Sequence, residues 1–128
     1  MACSFLFAYG TLQPGLAPEP MAALVGRLQA VGEGCVRGRL YDLGEYPGAV
    51  LEESGAEIRG TVYRLPEGDS LLPALDAYEG FEPECIEASL FIRIKHDVYL
   101  ADNGSLRCWM YVYNGRVQGL PIISLWRG

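Results

Sequence analysis

Two places in the chain hold residue types able to do chemistry together. One is the run Phe5-Leu6-Phe7-Ala8-Tyr9-Gly10-Thr11-Leu12-Gln13-Pro14-Gly15, and the other is the carboxyl of Glu79. The run opens with four apolar residues, Phe5 to Ala8, which read as a buried strand too short to be a helix. It breaks at Gly10, with Pro14 and Gly15 close behind, so the chain turns sharply out of its sheet. A glycine there gives the backbone access to positive φ and lets bare amides approach anything lying over the strand end. Successive N–H groups in such a turn converge on an oxyanion or a carboxylate. A carboxyl such as that of Glu79 supplies the complementary function, taking a proton and returning it.

The element that positions Glu79 is a helix from Leu71 to Glu79, capped by Asp69 or Ser70. Pro73 falls near its first turn, where a missing N–H costs least. Leu71, Leu72, Leu75 and Tyr78 form its apolar side, and Gly80 stands where a left-handed residue ends a helix. Glu79 therefore sits at the C-terminal end, where the helix dipole opposes negative charge by about 0.3–1 kcal/mol. A raised pKa is the expected consequence, and partial burial adds to it. Read from the residues alone, Glu79 fits better as a helix-end carboxylate held by a nearby arginine. Asp76, one turn earlier, fits a helix-surface aspartate better than a carboxylate partner. Arg93 and Tyr113 read as ordinary strand residues facing solvent or core.

The cysteines offer less. Cys3, Cys35, Cys85 and Cys108 are far apart, with no C-x-x-C pair and only His96 as an imidazole partner. That spacing suits neither a zinc site nor a redox motif, so no metal is expected. A nucleophilic Cys–His pair through His96 stays open, although His96 lies in an alternating, strand-like run where an edge histidine fits better. The N-terminus has no basic segment followed by a sustained apolar one, and reduced, mostly buried thiols in a cytoplasmic protein are expected.

The 128 residues are half hydrophobic and one-fifth charged, which suits one globular domain spanning 1–128. A formal charge of −6, with basic residues scattered among acidic ones, argues against a nucleic-acid partner. No apolar run approaches the roughly 20 residues of a membrane span. Met21, Leu24, Val25 and Leu28 have helical spacing for a short helix over 21–28 after Pro20, weakened by Gly26. Short strands are expected over Cys35–Leu43, Ala49–Glu53 and Glu57–Leu65, with a turn at Gly44-Glu45-Tyr46-Pro47-Gly48. Leu90–Leu100 and Leu106–Tyr113 form a hairpin through Asp102-Asn103-Gly104-Ser105. The acidic connection from Phe81 to Ser89 reads as a solvated face, and the tail from Asn114 as an extra strand segment or a cover for the core. Many short strands with one or two helices give an α+β domain with a small, closed or strongly curved β-barrel.

Several of these pieces, in order, resemble the gamma-glutamyl cyclotransferase-like superfamily. Tyr9-Gly10-Thr11-Leu12 is similar to its Tyr-Gly-Ser/Thr-Leu signature. Leu40-Tyr41-Asp42-Leu43-Gly44-Glu45-Tyr46-Pro47-Gly48-Ala49-Val50, Gly60-Thr61-Val62-Tyr63 and Leu75-Asp76-Ala77-Tyr78-Glu79-Gly80-Phe81 follow. Leu90-Phe91-Ile92-Arg93 and Trp109-Met110-Tyr111-Val112-Tyr113-Asn114 complete the match. The resemblance implies a mixed β-barrel with helices outside and a pocket at one barrel end. It implies that Tyr9, Gly10, Thr11 and Leu12 grip a gamma-glutamyl or 5-oxoproline moiety, largely through backbone amides. It makes Glu79 the acid/base in an intramolecular aminolysis that releases 5-oxoproline from a gamma-glutamyl amine or peptide, with no metal or organic cofactor. Phe91 stands where the family commonly has Tyr, so a hydroxyl contact is lost or comes from elsewhere, with Tyr113 as a candidate. Ile123-Ser124-Leu125-Trp126 lacks the usual Gly-Asp before the Trp. A non-catalytic metabolite-binding or interaction domain that keeps the pocket is the alternative.

Overall fold

Seven strands and two helices follow one another as β1 (Phe5–Ala8), α1 (Met21–Val25), β2 (Gln29–Asp42), β3 (Pro47–Leu51), β4 (Ala56–Arg64), α2 (Leu71–Glu79), β5 (Phe91–Leu100), β6 (Ser105–Tyr113) and β7 (Ile122–Ile123). They are seen in a computed structural model that describes residues 4–13, 16–18, 21–66, 71–102 and 104–126. The expected caps Asp69 and Ser70, the helix-leading Pro20, and Pro14, Gly15, Asn103 and Cys3 lie outside the described residues.

The strands run side by side in the order β3-β2-β4-β1-β6-β5, and β5 returns to β2 at Gly34↔Leu100 and Cys35↔Tyr99. That last pairing closes β2, β4, β1, β6 and β5 into a barrel and leaves β3 and β7 as extensions of β2. The barrel is mixed, because β1 lies parallel to β6 while its other neighbour β4 is antiparallel. The α+β barrel expected from the sequence is thus the fold observed.

β1 explains why the chain is organised around it. Phe7 and Tyr9 join Val36, Ile58, Val62, Val98, Cys108 and Met110 in one core, inside the barrel. Leu6 and Ala8 join Leu12, Val25, Leu28, Leu71, Leu75 and Tyr111 in a second, between the barrel wall and the helices. A strand buried on both faces reads as an unbroken apolar run, which is what Phe5 to Ala8 is. Each large side chain so buried contributes roughly 1.5–3 kcal/mol.

Where the elements depart from expectation, the causes are local. β2 begins six residues before Cys35, because Gln29 to Glu33 are exposed on both faces and a bulge between Ala30 and Gly32 hides any alternation. α1 ends at Val25, and the chain tightens after it through Arg27 N–H to Leu24 O and Leu28 N–H to Val25 O. β3 begins at Pro47, which pairs with Asp42. In the tail, Ile122 and Ile123 pair with β2 and Trp126 is buried. Glu82, Glu84 and Glu87 are exposed. Among the described residues, no helix is long and apolar enough to cross a membrane.

Candidate functional site

In the turn after β1 the carbonyls of Tyr9, Gly10 and Leu12 are occupied, whereas the amides of Gly10, Thr11 and Leu12 are not, among the described residues. Gln13 N–H donates to the Gly10 carbonyl at 3.1 Å, closing the turn. The Gln13 side-chain amide donates to the carbonyls of Tyr9 at 2.9 Å and Gly10 at 3.3 Å. The Tyr63 hydroxyl donates to the Leu12 carbonyl at 3.0 Å. Burial pushes the Tyr63 phenol up to about 12, so it stays a donor. The amides of Gly10, Thr11 and Leu12 meet no protein acceptor among the described residues.

Gly10 is needed for a different reason than expected. Positive φ occurs at Gly44, Gly80 and Gly119 and not at Gly10. A Cβ on Gly10 would instead lie 2.8 Å from Cγ and 3.0 Å from Cδ of Pro47. The glycine lets the turn pack against the proline that starts β3, so close approach and not backbone handedness demands it.

The Tyr9 hydroxyl is engaged within the protein. It donates to the Tyr111 carbonyl and accepts from the Ala49 amide at 3.2 Å, tying β1 to β6 and β3. Burial first, and the charge of Glu79 second, drive its phenol far above the ordinary range, while the Ala49 hydrogen bond works against them. Thr11 reaches the other half of the site: its hydroxyl lies 2.9 Å from that of Tyr78 on α2.

Glu79 is the last residue of α2 and Gly80 follows it with φ 70°. Phe81 N–H donates to the Asp76 carbonyl at 2.9 Å and Gly80 N–H to that of Ala77 at 3.3 Å. These are the two bonds of a Schellman ending, which fix where the helix stops and so where Glu79 points. Leu90 N–H to the Gly80 carbonyl, at 2.9 Å, pins that end to the start of β5. The arginine expected beside Glu79 is absent: its carboxyl has no ion pair or hydrogen bond among the described residues. Burial raises its pKa from an ordinary 4.5 to about 7.

One cavity of about 320 Å³ brings these pieces together at a barrel end. The turn contributes Tyr9, Gly10, Thr11 and Leu12, and α2 contributes Tyr78 and Glu79. Glu45, Tyr46 and Pro47 from the β2–β3 turn, Leu90 and Phe91 at the start of β5, and Tyr111 on β6 complete the wall with Phe7 and Ala8. Glu45 and Glu79 are the charged side chains on it. Tyr9, Gly10, Thr11, Leu12 and Glu79 thus line the same hollow.

Other expectations need correction. Asp76 is not on the helix surface but buried, receiving the Tyr111 hydroxyl at 2.7 Å and lying 2.9 Å from Arg93 Nε. Arg93 is taken by that pair and by the rings of Trp109 and Phe81, at 4.3 and 5.8 Å. Tyr113 does not line the cavity; it packs edge-on against Phe91 with centroids 5.7 Å apart. Tyr111, two residues earlier and on the wall, escapes sequence reasoning, although its place in an alternating strand marks it as sharing a face with Tyr113. Cys35 and His96 line one hollow, but among the described residues the Cys35 thiol donates to Glu57 at 3.2 Å and not to His96, and burial followed by that bond raises its pKa, the opposite of an activated thiolate. Cys108 is buried, but Cys85 is exposed and Cys35 half-exposed, so the thiols among the described residues are not mostly buried. No cluster of three or more His, Cys, Asp or Glu side chains able to hold a metal ion occurs among the described residues.

Residues 6–127 match the family described as gamma-glutamyl cyclotransferase, AIG2-like. Among solved structures, the chain is similar to an AIG2-like protein from Mus musculus, with TM-score 0.75 and 21% identity over 99% of this chain and 90% of that one. It is similar to the protein ytfP from Escherichia coli, with TM-score 0.60 and 27% identity over 94% of this chain and 92% of that one. A structure titled gamma-glutamyl cyclotransferase gives TM-score 0.64 and 14% identity over 93% of this chain and 69% of that one. No curated protein matches the sequence.

Proposed function

The chain belongs to the gamma-glutamyl cyclotransferase, AIG2-like family, and from that premise we propose that it releases 5-oxoproline from a gamma-glutamyl amine or peptide, with Glu79 as the acid/base. The observation that carries this reading is the juxtaposition in one cavity of an unpartnered carboxyl and the unpartnered amides of Gly10, Thr11 and Leu12.

The reaction is an intramolecular aminolysis. The Glu79 carboxylate takes a proton from the substrate's α-ammonium, and the freed amine attacks the γ-carbonyl carbon. The new C–N bond closes a five-membered ring, and the carbonyl electron pair moves onto oxygen as an oxyanion. Turn amides supply donors for that oxyanion or for the substrate's α-carboxylate. Protonated Glu79 then delivers its proton to the leaving nitrogen, the oxyanion's electron pair re-forms the carbonyl, and the original C–N bond breaks with its pair leaving on that nitrogen. The ring nitrogen passes its extra proton to the regenerated Glu79 carboxylate, which hands it to the departing amine as an ammonium. A carboxyl with pKa about 7 is half ionised near neutrality, which suits it to both transfers. Ring closure needs little beyond holding the cyclising conformer, because a well-oriented intramolecular attack has a very high effective molarity. No nucleophilic Ser or Cys and no cofactor takes part. The cytoplasm is the proposed compartment, in keeping with the thiols of Cys35 and Cys85, which form no disulfide among the described residues.

The second reading, a binding domain without turnover, draws on Phe91, an apolar ring on the cavity wall. Measuring 5-oxoproline release across gamma-glutamyl amines, dipeptides and a gamma-glutamyl-lysine conjugate separates the two. Turnover of at least one, abolished in Glu79→Gln with 5-oxoproline binding retained, supports the enzyme. Full activity in Glu79→Gln refutes the mechanism, and binding without release anywhere in the panel favours the second reading.

A further inference from the structure

The cavity wall holds a tyrosine whose proton is already committed. Tyr111 Oη donates to Asp76 Oδ1 at 2.7 Å, and both side chains are buried. Arg93 Nε lies 2.9 Å from the same oxygen, its N–H not aligned on it, so the contact is one of charge more than of directed hydrogen bonding. The guanidinium is seated over Trp109 at 4.3 Å and over Phe81 at 5.8 Å, which holds it against the carboxylate. Against the guanidinium, the Asp76 oxygen is the acceptor of the bond from Tyr111. The phenol proton of Tyr111 therefore has one place to go, and its oxygen keeps lone pairs to offer elsewhere. Tyr111 lines the cavity and feels the charge of Glu79.

We propose that Asp76, held by Arg93, is a positioning residue that commits the Tyr111 proton and so presents the Tyr111 oxygen to the cavity as an acceptor for a substrate's α-ammonium. This rests on the cyclotransferase reading and deepens it. The reaction needs a donor-rich cation held beside the proton acceptor Glu79, and the wall must offer that cation acceptors. The Tyr9 hydroxyl is unsuited, since it already donates to the Tyr111 carbonyl and accepts from Ala49. A Tyr111 free to rotate would present its own proton to the ammonium and repel it. The Asp76–Arg93 pair removes that option without adding net charge.

The test measures equilibrium binding in a Glu79→Gln background, so that nothing is turned over. Two probes are compared: gamma-glutamyl methylamide, and glutaric acid monomethylamide, which is the same molecule without the α-amine. Tyr111→Phe deletes the acceptor. The double change Asp76→Leu with Arg93→Met removes the pair at similar volume, avoiding a lone buried charge. Each is expected to weaken the amine-bearing probe by about tenfold, the scale of one hydrogen bond to a charged group. The des-amino probe should change by less than about twofold on the same scale. Equal losses for both probes, or an unchanged preference in the double variant, overturn the assignment, as does failure of both probes to bind. Release of 5-oxoproline by the unmodified protein is scored separately. A selective binding loss without release sinks the catalytic reading alone, and release without selective loss sinks the role of Asp76 alone.

Discussion

Ionising Glu79 costs the folded protein more than the unfolded chain, and the difference can be read as stability against pH. The carboxyl titrates at its ordinary 4.5 when the chain is unfolded and at about 7 when folded, because burial disfavours the charged form. Below pH 4.5 both states carry the proton and Glu79 has no differential effect. Between 4.5 and about 7 the unfolded chain ionises while the folded one does not, so stability falls as pH rises. Above 7 both are ionised and the loss levels off. With each pH unit between the two values worth about 1.36 kcal/mol, the total is on the order of 3 kcal/mol. Glu79→Gln cannot ionise and is exempt from this loss. The variant should therefore gain on the parent as pH is raised from 4.5 to 8, by roughly 11 °C in Tm for a domain of this size.

The assay is a pair of thermal or denaturant unfolding series from pH 4 to pH 9 on the parent and on Glu79→Gln. Taking the difference between the proteins at each pH cancels every other titrating group. A difference that does not change with pH would mean that Glu79 is solvated in the folded protein. A difference that grows toward low pH would mean that a cation holds it, the helix-end reading that the sequence alone favours. Either result would remove the basis for treating Glu79 as a carboxyl poised near neutrality. In the active protein the same pKa predicts an acid limb near pH 7 in kcat/KM, since the base must be ionised to begin.

Tyr9→Phe strands the buried Ala49 amide and frees the Tyr111 carbonyl, and should cost about 2 kcal/mol by urea unfolding. Gly10→Ala places a methyl 2.8 Å from Pro47 Cγ and should cost about 1–3 kcal/mol while weakening 5-oxoproline binding, measured by calorimetry; unaltered binding would take this turn out of the site. Gly80→Ala forces an L-residue to φ 70° and should cost about 1 kcal/mol, with a larger fractional loss in kcat than in stability because the Schellman ending aims Glu79. A Thr11→Val, Tyr78→Phe double-mutant cycle should give a coupling of about 0.5–1 kcal/mol from the exposed hydroxyl pair.

The parts of this site legible in the sequence are those defined by local signals. An apolar run broken by Gly10 marks the strand and turn, and a leucine-rich stretch ended by Gly80 marks the helix and its last residue. What cannot be read there depends on contacts between distant segments. The sequence at Gly10 invites an account based on positive φ, and only the pairing of β2 with β3 brings Pro47 within 2.8 Å of where its Cβ would be. Asp76 reads as a surface residue because nothing near it announces Tyr111, 35 positions on, or Arg93, 17 positions on (76 to 111 and 76 to 93). The β2 overhang from Gln29 to Glu33 is hidden for the opposite reason: exposed on both faces, it has no alternation to show.

The same division explains how a small barrel would build the proposed proton-transfer site. A carboxyl kept near pKa 7 must be buried without a cation, so the local arginine has to be occupied elsewhere. Asp76, one helical turn from Glu79, occupies Arg93 with help from Trp109 and Phe81. Arg93 thus pairs with Asp76, and among the described residues Glu79 is left unpaired at the helix end. A cation beside Glu79 would favour its charged form, leaving a carboxylate able to bind an ammonium but a weaker base toward it. A swap that gives Glu79 a cation, such as Leu90→Arg at the cavity mouth, should therefore lower the acid limb of kcat/KM below pH 7 and lower kcat with it. A limb that stays near 7 in that variant, with the arginine shown to lie beside Glu79, would break the link between the missing cation and the chemistry.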